Sequence, residues 1–246
     1  MNTAPLTPPV LAARGLTKTY GSTHALAGVD LEIRPGESVA VMGPSGSGKT
    51  TLLHVLSGII APDGGRVTLA GADGTVHEVT ALTEEQRARL RRERLGFVFQ
   101  EGLLLPELTA VENVAMPLML NGVDRRAAEQ TAARWLGSLG LAGMEDRRPG
   151  ELSGGQRQRV AIARAQAVEP DVVFADEPTG ALDSDTSEAV LDSLIASTVA
   201  RGRTLVVVTH DPSVAAACSR LIRVRDGRIE SDQAQAAAGT TREQVR

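Results

Sequence analysis

An α/β fold follows from three observations in this 246-residue sequence. Short apolar runs at residues 38–42, 95–100, 172–175, 205–209 and 221–224 alternate with helical stretches, the arrangement that builds a parallel sheet with helices against it. Ahead of them, residues 10–20 and 25–33 are β-branched and alternating, with a Tyr20-Gly21 turn between, which predicts an antiparallel pair. From 103 to 139 the strands stop and the apolar spacing becomes helical, so a helical piece is inserted into the sheet.

The elements follow in chain order. Residues 1–9 are rich in Thr and Pro, lack a basic-then-apolar leader pattern, and are expected to form a flexible tail. The run at 38–42 enters a glycine-rich loop, and 50–57 follows as a helix with its leucines on one face. Residues 66–80 form a hairpin broken at Gly71 and Gly74; a charged helix covers 84–94 and leads into the run at 95–100. Pro106 interrupts the helical pattern and marks a loop. Ser153 is placed to cap a helix that runs through 160–168, and further helices are expected at 186–200 and 213–217. Residues 233–246 are polar and alanine-rich. The folded unit is therefore set at 10–230, with the helical insertion at about 101–165 and a polar tail at 231–246.

Composition narrows the function. A formal net charge of −4 and 2% aromatic residues argue against a basic nucleic-acid face or a base-stacking strand channel. One cysteine, Cys218, cannot form an internal disulfide, fits a reducing compartment, and is most simply a small packed residue. No apolar run reaches the ~18–20 residues that cross a bilayer, so any work at a membrane is expected to go through a partner. Of 26 basic residues only Lys18 and Lys49 are lysines, and Lys49 lies inside the glycine loop. A compact, strongly hydrated ammonium is not interchangeable with a guanidinium.

That loop reads Gly43-Pro44-Ser45-Gly46-Ser47-Gly48-Lys49-Thr50, with Thr51 next, between a predicted strand and a predicted helix. The pattern is that of a phosphate-binding loop. Glycines let successive N–H groups turn inward to phosphate oxygens, the helix end adds a positive dipole, Lys49 reaches the β- and γ-phosphates, and the Thr50 hydroxyl ligates Mg²⁺. A second signal is Val172-Val173-Phe174-Ala175-Asp176-Glu177, a buried strand whose first polar residues emerge beside the loop. Asp176 is suited to hold Mg²⁺ through water, and Glu177 to polarise an attacking water. By itself an Asp-Glu after a strand is as often a solvated loop.

A third signal is Leu152-Ser153-Gly154-Gly155-Gln156 before a helix-forming run, a second place where bare N–H groups meet a positive helix end. This stretch resembles the signature motif of the ATP-binding-cassette (ABC) ATPases, and the resemblance extends over about residues 10–230. It implies a P-loop NTPase (RecA-like) core with an antiparallel β-subdomain and an inserted α-helical subdomain. It implies a head-to-tail homodimer in the ATP-bound state, each signature motif (Ser153, Gly154, Gly155, Gln156) closing on the other subunit's ATP. By resemblance, Tyr20 stacks on adenine, Gln100 senses Mg²⁺ and a membrane permease, Asp183 crosses the dimer interface, and His210 contacts the γ-phosphate and joins Glu177 and Lys49 in catalysis. The preference for ATP over GTP rests on the resemblance alone.

Within that family the chain looks most similar to the MacB/LolD group of macrolide exporters, lipoprotein-releasing ATPases and antimicrobial-peptide transporters. The residues behind this are Leu104-Leu105-Pro106, residues 108–113, residues 175–184 and residues 208–212. The implied partner is an integral-membrane permease on a separate chain, and the implied location the cytoplasmic face of the membrane. Glu101-Gly102 depart from the small polar and bulky residues expected after Gln100, in a region that contacts the permease in relatives. The apolar stretch 103–120 reads equally well as a groove for a permease helix or as core of the helical insertion. A soluble ATPase acting on nucleic acid or ribosomes is the other class; a single cassette, one cysteine and no heptads disfavour it. A permease complex that transmits force or a signal without transport uses the same parts and stays open.

Overall fold

The computed structural model describes residues 8–71, 73–100 and 102–235. The chain forms strand β1 (Leu11–Tyr20), β2 (Thr23–Ile33) and β3 (Ser38–Met42), then helix α1 (Lys49–Leu56). Strands β4 (Gly64–Ala70) and β5 (Val76–Glu78) precede α2 (Glu84–Arg94) and β6 (Leu95–Phe99). The helices α3 (Ala110–Leu120), α4 (Arg125–Ser138) and α5 (Gly154–Gln166) come next. The rest alternates as β7 (Val172–Asp176), α6 (Ser184–Thr198), β8 (Thr204–Val208), α7 (Pro212–Ala216), β9 (Arg220–Arg225) and β10 (Arg228–Ala234).

Two sheets result. β2-β1-β4-β5 is antiparallel, and β10-β9-β3-β8-β7-β6 is parallel apart from its β10 edge. The period-2 pattern of the parallel strands explains the core. Ala40, Val173, Ala175, Leu205 and Val207 face a cluster shared with the helices, including Val160, Ile162 and Leu194. The alternate residues Val39, Val41, Phe174, Val206 and Val208 face a second cluster with α1 and the antiparallel sheet. Phe174 and Phe97 stack at 5.9 Å between centroids.

Helix starts are set by side chains. Thr83, Thr109 and Ser153 each form a capping box with the residue three ahead, and Asp124, Asp183 and Asp211 cap α4, α6 and α7. The loop before α3 is held by Asn113, which is fully buried. Its Oδ1 accepts from the Leu105 N–H at 2.8 Å, and its Nδ2 donates to the carbonyls of Leu105, Leu108 and Thr109 at 3.0–3.2 Å.

The structure corrects one boundary. The polar tail set at 231–246 begins too early, because β10 continues to Ala234, pairing antiparallel with β9 from Arg228↔Arg225 to Ala234↔Arg220. Arg220 clamps that ladder with a two-pronged bond to Asp232 at 2.6 and 2.7 Å and a bond to Glu37 at 2.9 Å. The remaining expectations for the two ends, residues 1–7 and 236–246, and the departure at Glu101, lie outside the described residues. The apolar stretch 103–120 divides between its two readings: Val114 and Ala115 are buried, Leu104 packs on the core, and Leu103, Leu105, Met119 and Leu120 are exposed.

Candidate functional site

The phosphate loop leaves the C-terminal end of β3, the usual ligand-binding edge of a parallel sheet. Two of its glycines are required by packing. A Cβ on Gly43 would lie 2.1 Å from the Val224 carbonyl oxygen. One on Gly48, whose φ is +101°, would lie 2.1 Å from the Ala25 carbonyl oxygen. The loop is thus pressed between β2 and the β9–β10 hairpin. The turn of that hairpin, Asp226-Gly227, bonds on both sides: Gly227 N donates to the Ser47 carbonyl at 3.0 Å, and Ala27 N donates to the Gly227 carbonyl at 2.8 Å.

Between the loop and the ends of β7 and β8 lies a cleft of about 360 Å³. Gly43, Ser45, Gly46, Gly48, Lys49, Thr50, Thr51, Glu177 and His210 line it, together with Ala25 and Val208. The first nine belong to the predicted site; from sequence Ala25 and Val208 have no site role, Val208 counting only toward the resemblance over residues 208–212. Lys49 Nζ donates to the carbonyls of Gly43 and Pro44 at 2.8 and 2.9 Å, so the ammonium sits over its own loop. Ser47 is buried.

The acidic pair is delivered by the register of the sheet. Asp176 pairs with Val208, and Val41 with Val208, which brings the end of β7 alongside the loop. Burial pushes the Asp176 carboxyl above the ordinary carboxylate range, opposed by the charge of His54, the Thr50 hydroxyl and Lys49. Glu177 sits at φ +46°, a left-handed conformation unusual for a glutamate and held by its N–H donating to the Val208 carbonyl at 2.9 Å. Its carboxylate bonds His210 Nδ1 at 2.8 Å and accepts from the Thr209 hydroxyl at 3.3 Å. The Glu177 bond and charge raise the His210 pKa. Thr209 and His54 are contributors the sequence did not expose: one is a buried strand-end threonine, the other one helical turn beyond Thr50.

The other predicted residues lie outside this cleft. Tyr20 ends β1, half exposed, and Gln100 follows β6, with its side-chain amide beside Gly180. Asp183 caps α6, accepting from Thr186 N at 3.0 Å, which holds its carboxyl below the usual range. Ser153 caps α5: its hydroxyl accepts from Gln156 N at 3.3 Å, and the Gln156 amide oxygen accepts from Ser153 N at 2.9 Å. Gly154 and Gly155 have a packing reason as well. Cβ atoms there would stand 3.0 Å from Leu182 and 2.3 Å from Thr186, so α5 and α6 are in close contact at this end.

A second apolar surface flanks the helical insertion. Ile59, Phe97, Phe99, Met116, Pro117 and Leu120 line a groove of about 410 Å³ with arginines at its rim. Among the described residues no helix is long and apolar enough to cross a membrane.

The ABC transporter family model matches residues 26–180. The chain is 48% identical, over 83% of its length and 88% of the relative's, to the lipoprotein-releasing system ATP-binding protein LolD of Paramagnetospirillum magneticum. It is 42% identical to the bacitracin export ATP-binding protein BceA of Halalkalibacterium halodurans, covering 89% of this chain and 87% of that one. A macrolide export ATP-binding/permease protein, MacB of Syntrophobacter fumaroxidans, is 48% identical over 91% of this chain but only 31% of its own length. Among solved structures, the dimeric ATP-binding cassette MJ0796 bound to ADP and Pi superposes with a TM-score of 0.80, at 38% identity, covering 91% of this chain and 98% of that one.

Proposed function

The chain belongs to the ABC transporter family as an ATP-binding, ATP-hydrolysing subunit, and on that premise we propose a two-site clamp that drives a membrane permease. One observation carries the reading. The phosphate loop, Glu177 and His210 share a cleft, while the Ser153-capped start of α5 lines no part of it. Each chain therefore presents two halves of different sites. A head-to-tail pair completes both, each Ser153-Gly154-Gly155-Gln156 closing on the partner's nucleotide.

Within each site the roles divide by position. Backbone N–H groups between Ser45 and Thr51, together with Lys49, grip the phosphates, and Tyr20 offers a face to the adenine. The Thr50 hydroxyl and Asp176 carboxylate are hard oxygen donors that fit Mg²⁺, an ion commonly held by one or two protein oxygens together with substrate phosphates. When bound, Mg²⁺ neutralises charge on the β- and γ-phosphate oxygens. Gln100 follows β6, whose last residue Phe99 pairs with Asp176, and its amide oxygen would be a further donor to that ion. Glu177 accepts the proton of the attacking water, His210 orients Glu177 and faces the γ-phosphate, and Asp183 lies on the dimer face.

The relatives' names associate them with lipoprotein release, bacitracin export and macrolide export, which supports an exporter or lipid- and peptide-handling system. In this proposal a membrane permease sits in the groove lined by Phe97, Met116 and Leu120. On this reading the ATPase works at the cytoplasmic face of the membrane.

Ser153→Arg tests the clamp. The added guanidinium removes the Ser153 cap of α5 and obstructs the partner's site but leaves its own chain's cleft intact, so ATP turnover is expected to vanish while the monomer still binds ATP. Loss of binding by the monomer would show that the signature segment acts within its own chain, and the two-site reading would fall.

A further inference from the structure

Only two positions in this arginine-rich chain are lysine, and the site described above uses one of them. The other, Lys18, shares a strand face with Tyr20 two residues on. Its ammonium lies 5.6 Å from the centroid of the Tyr20 ring and 2.9 Å from the Asp63 carboxylate. The Lys18 side chain is 17% exposed, far more covered than an ordinary surface lysine. Asp63 is itself anchored. Its second carboxylate oxygen accepts from Thr19 N at 2.7 Å, and its own N–H donates to the Thr17 carbonyl at 2.8 Å. The Lys18 bond and the Thr19 bond hold the Asp63 carboxyl below the usual carboxylate range.

These contacts form a clasp around one aromatic ring. An exposed tyrosine at the end of a two-stranded turn would ordinarily sample several rotamers, and fixing it on binding costs affinity. Here a cation held by a carboxylate covers one face of the ring by attraction to its π electrons. A lysine suits the position because a compact ammonium with three donors serves a carboxylate and a ring face together.

We propose that Lys18, pinned by Asp63, is a positioning residue that holds the Tyr20 ring ready to stack on the base of the nucleotide. The inference rests on the reading of Tyr20 as the adenine platform. Lys18 touches no phosphate in this role, so its effect belongs to the base alone.

The test compares Lys18→Met, Tyr20→Ala and the double variant of the full chain, measuring Kd by calorimetry for ATP and for inorganic tripolyphosphate, which has no base. Lys18→Met is expected to weaken ATP about two- to five-fold, the range for a half-exposed cation–π contact. Its tripolyphosphate affinity should be unchanged, and in the Tyr20→Ala background it should cost nothing further. Unchanged tripolyphosphate affinity also certifies that the variant is folded. Equal weakening of both ligands, an additive loss on top of Tyr20→Ala, or no loss of ATP affinity overturns the inference. If Tyr20→Ala binds ATP normally, the platform reading fails and Lys18 fails with it. If Tyr20→Ala is impaired and Lys18→Met is not, only the role of Lys18 is lost.

Discussion

Replacing Glu177 by Gln isolates one charge in the cleft. The amide keeps the length and shape of the side chain, so the left-handed backbone at φ +46° and the N–H bond to Val208 are undisturbed. The residues proposed to grip phosphate, Ser45, Gly46, Gly48 and Lys49, belong to the loop and are left unchanged. What disappears is the basic oxygen that receives the proton of water. General-base assistance contributes about 10²–10⁴ in rate, or roughly 2.7–5.4 kcal/mol of barrier. ATP turnover is thus expected to fall at least ~100-fold, with ATP binding retained.

The same substitution removes the negative charge of the group that bonds His210 Nδ1, 2.8 Å away. The carboxylate raises the imidazole pKa, so the protonated pair contributes fully below the ordinary histidine value of about 6.5 and is lost as pH rises through the elevated folded value. In Glu177→Gln the His210 titration, followed by NMR of the ring protons, should move down toward the ordinary value. Steady-state phosphate release and nucleotide binding complete the assay. Turnover within ten-fold of the parent, at unchanged ATP affinity, would remove Glu177 from the chemistry; an unmoved His210 titration would show that the pair does not form in solution.

Asn113→Ala should destabilise the chain by about 3 kcal/mol, since the loop loses the bonds that the buried Asn113 amide makes to the Leu105 N–H and to the carbonyls of Leu105 and Leu108. That corresponds to a fall in melting temperature of roughly 6–12 °C, and a change under ~2 °C would mean water replaces the amide. For the groove, Glu177→Gln chains trapped with ATP should co-purify with a multi-spanning protein from detergent-solubilised source membranes, and adding Leu120→Glu should abolish the capture. Retention of the partner by that double variant would locate docking elsewhere, and a dimer without a membrane partner would favour a soluble ATPase.

Legibility from sequence followed burial. The strands over 172–176 and 204–208 contain the continuous apolar runs 172–175 and 205–208, buried on both faces, and they announce themselves. β10 does not. Its residues Arg-Ile-Glu-Ser-Asp-Gln-Ala are almost all exposed, and backbone pairing with cross-strand ion pairs holds it, Arg220 to Asp232 above all. The site divides in the same way. Residues 43–51 and 176–177 carry a motif because backbone shape and chemistry demand those residue types at fixed spacing. The Thr209 hydroxyl on Glu177, and Asp63 under Lys18, join residues 32 and 45 positions apart. Such pairs exist only once the sheets are assembled.

The wedge of Asp226-Gly227 between β2 and the phosphate loop has a thermodynamic consequence. A glycine-rich segment is the costliest kind of backbone to immobilise, at about 1–2 kcal/mol per residue for an average residue and more for glycine. Here the Ala25 and Val224 carbonyls crowd the loop from two sides, and the Gly227 N–H fixes the Ser47 carbonyl. Its disorder is surrendered when the polypeptide folds. The arriving triphosphate then meets a loop whose backbone is already fixed, and little of its binding enthalpy is spent on organising it.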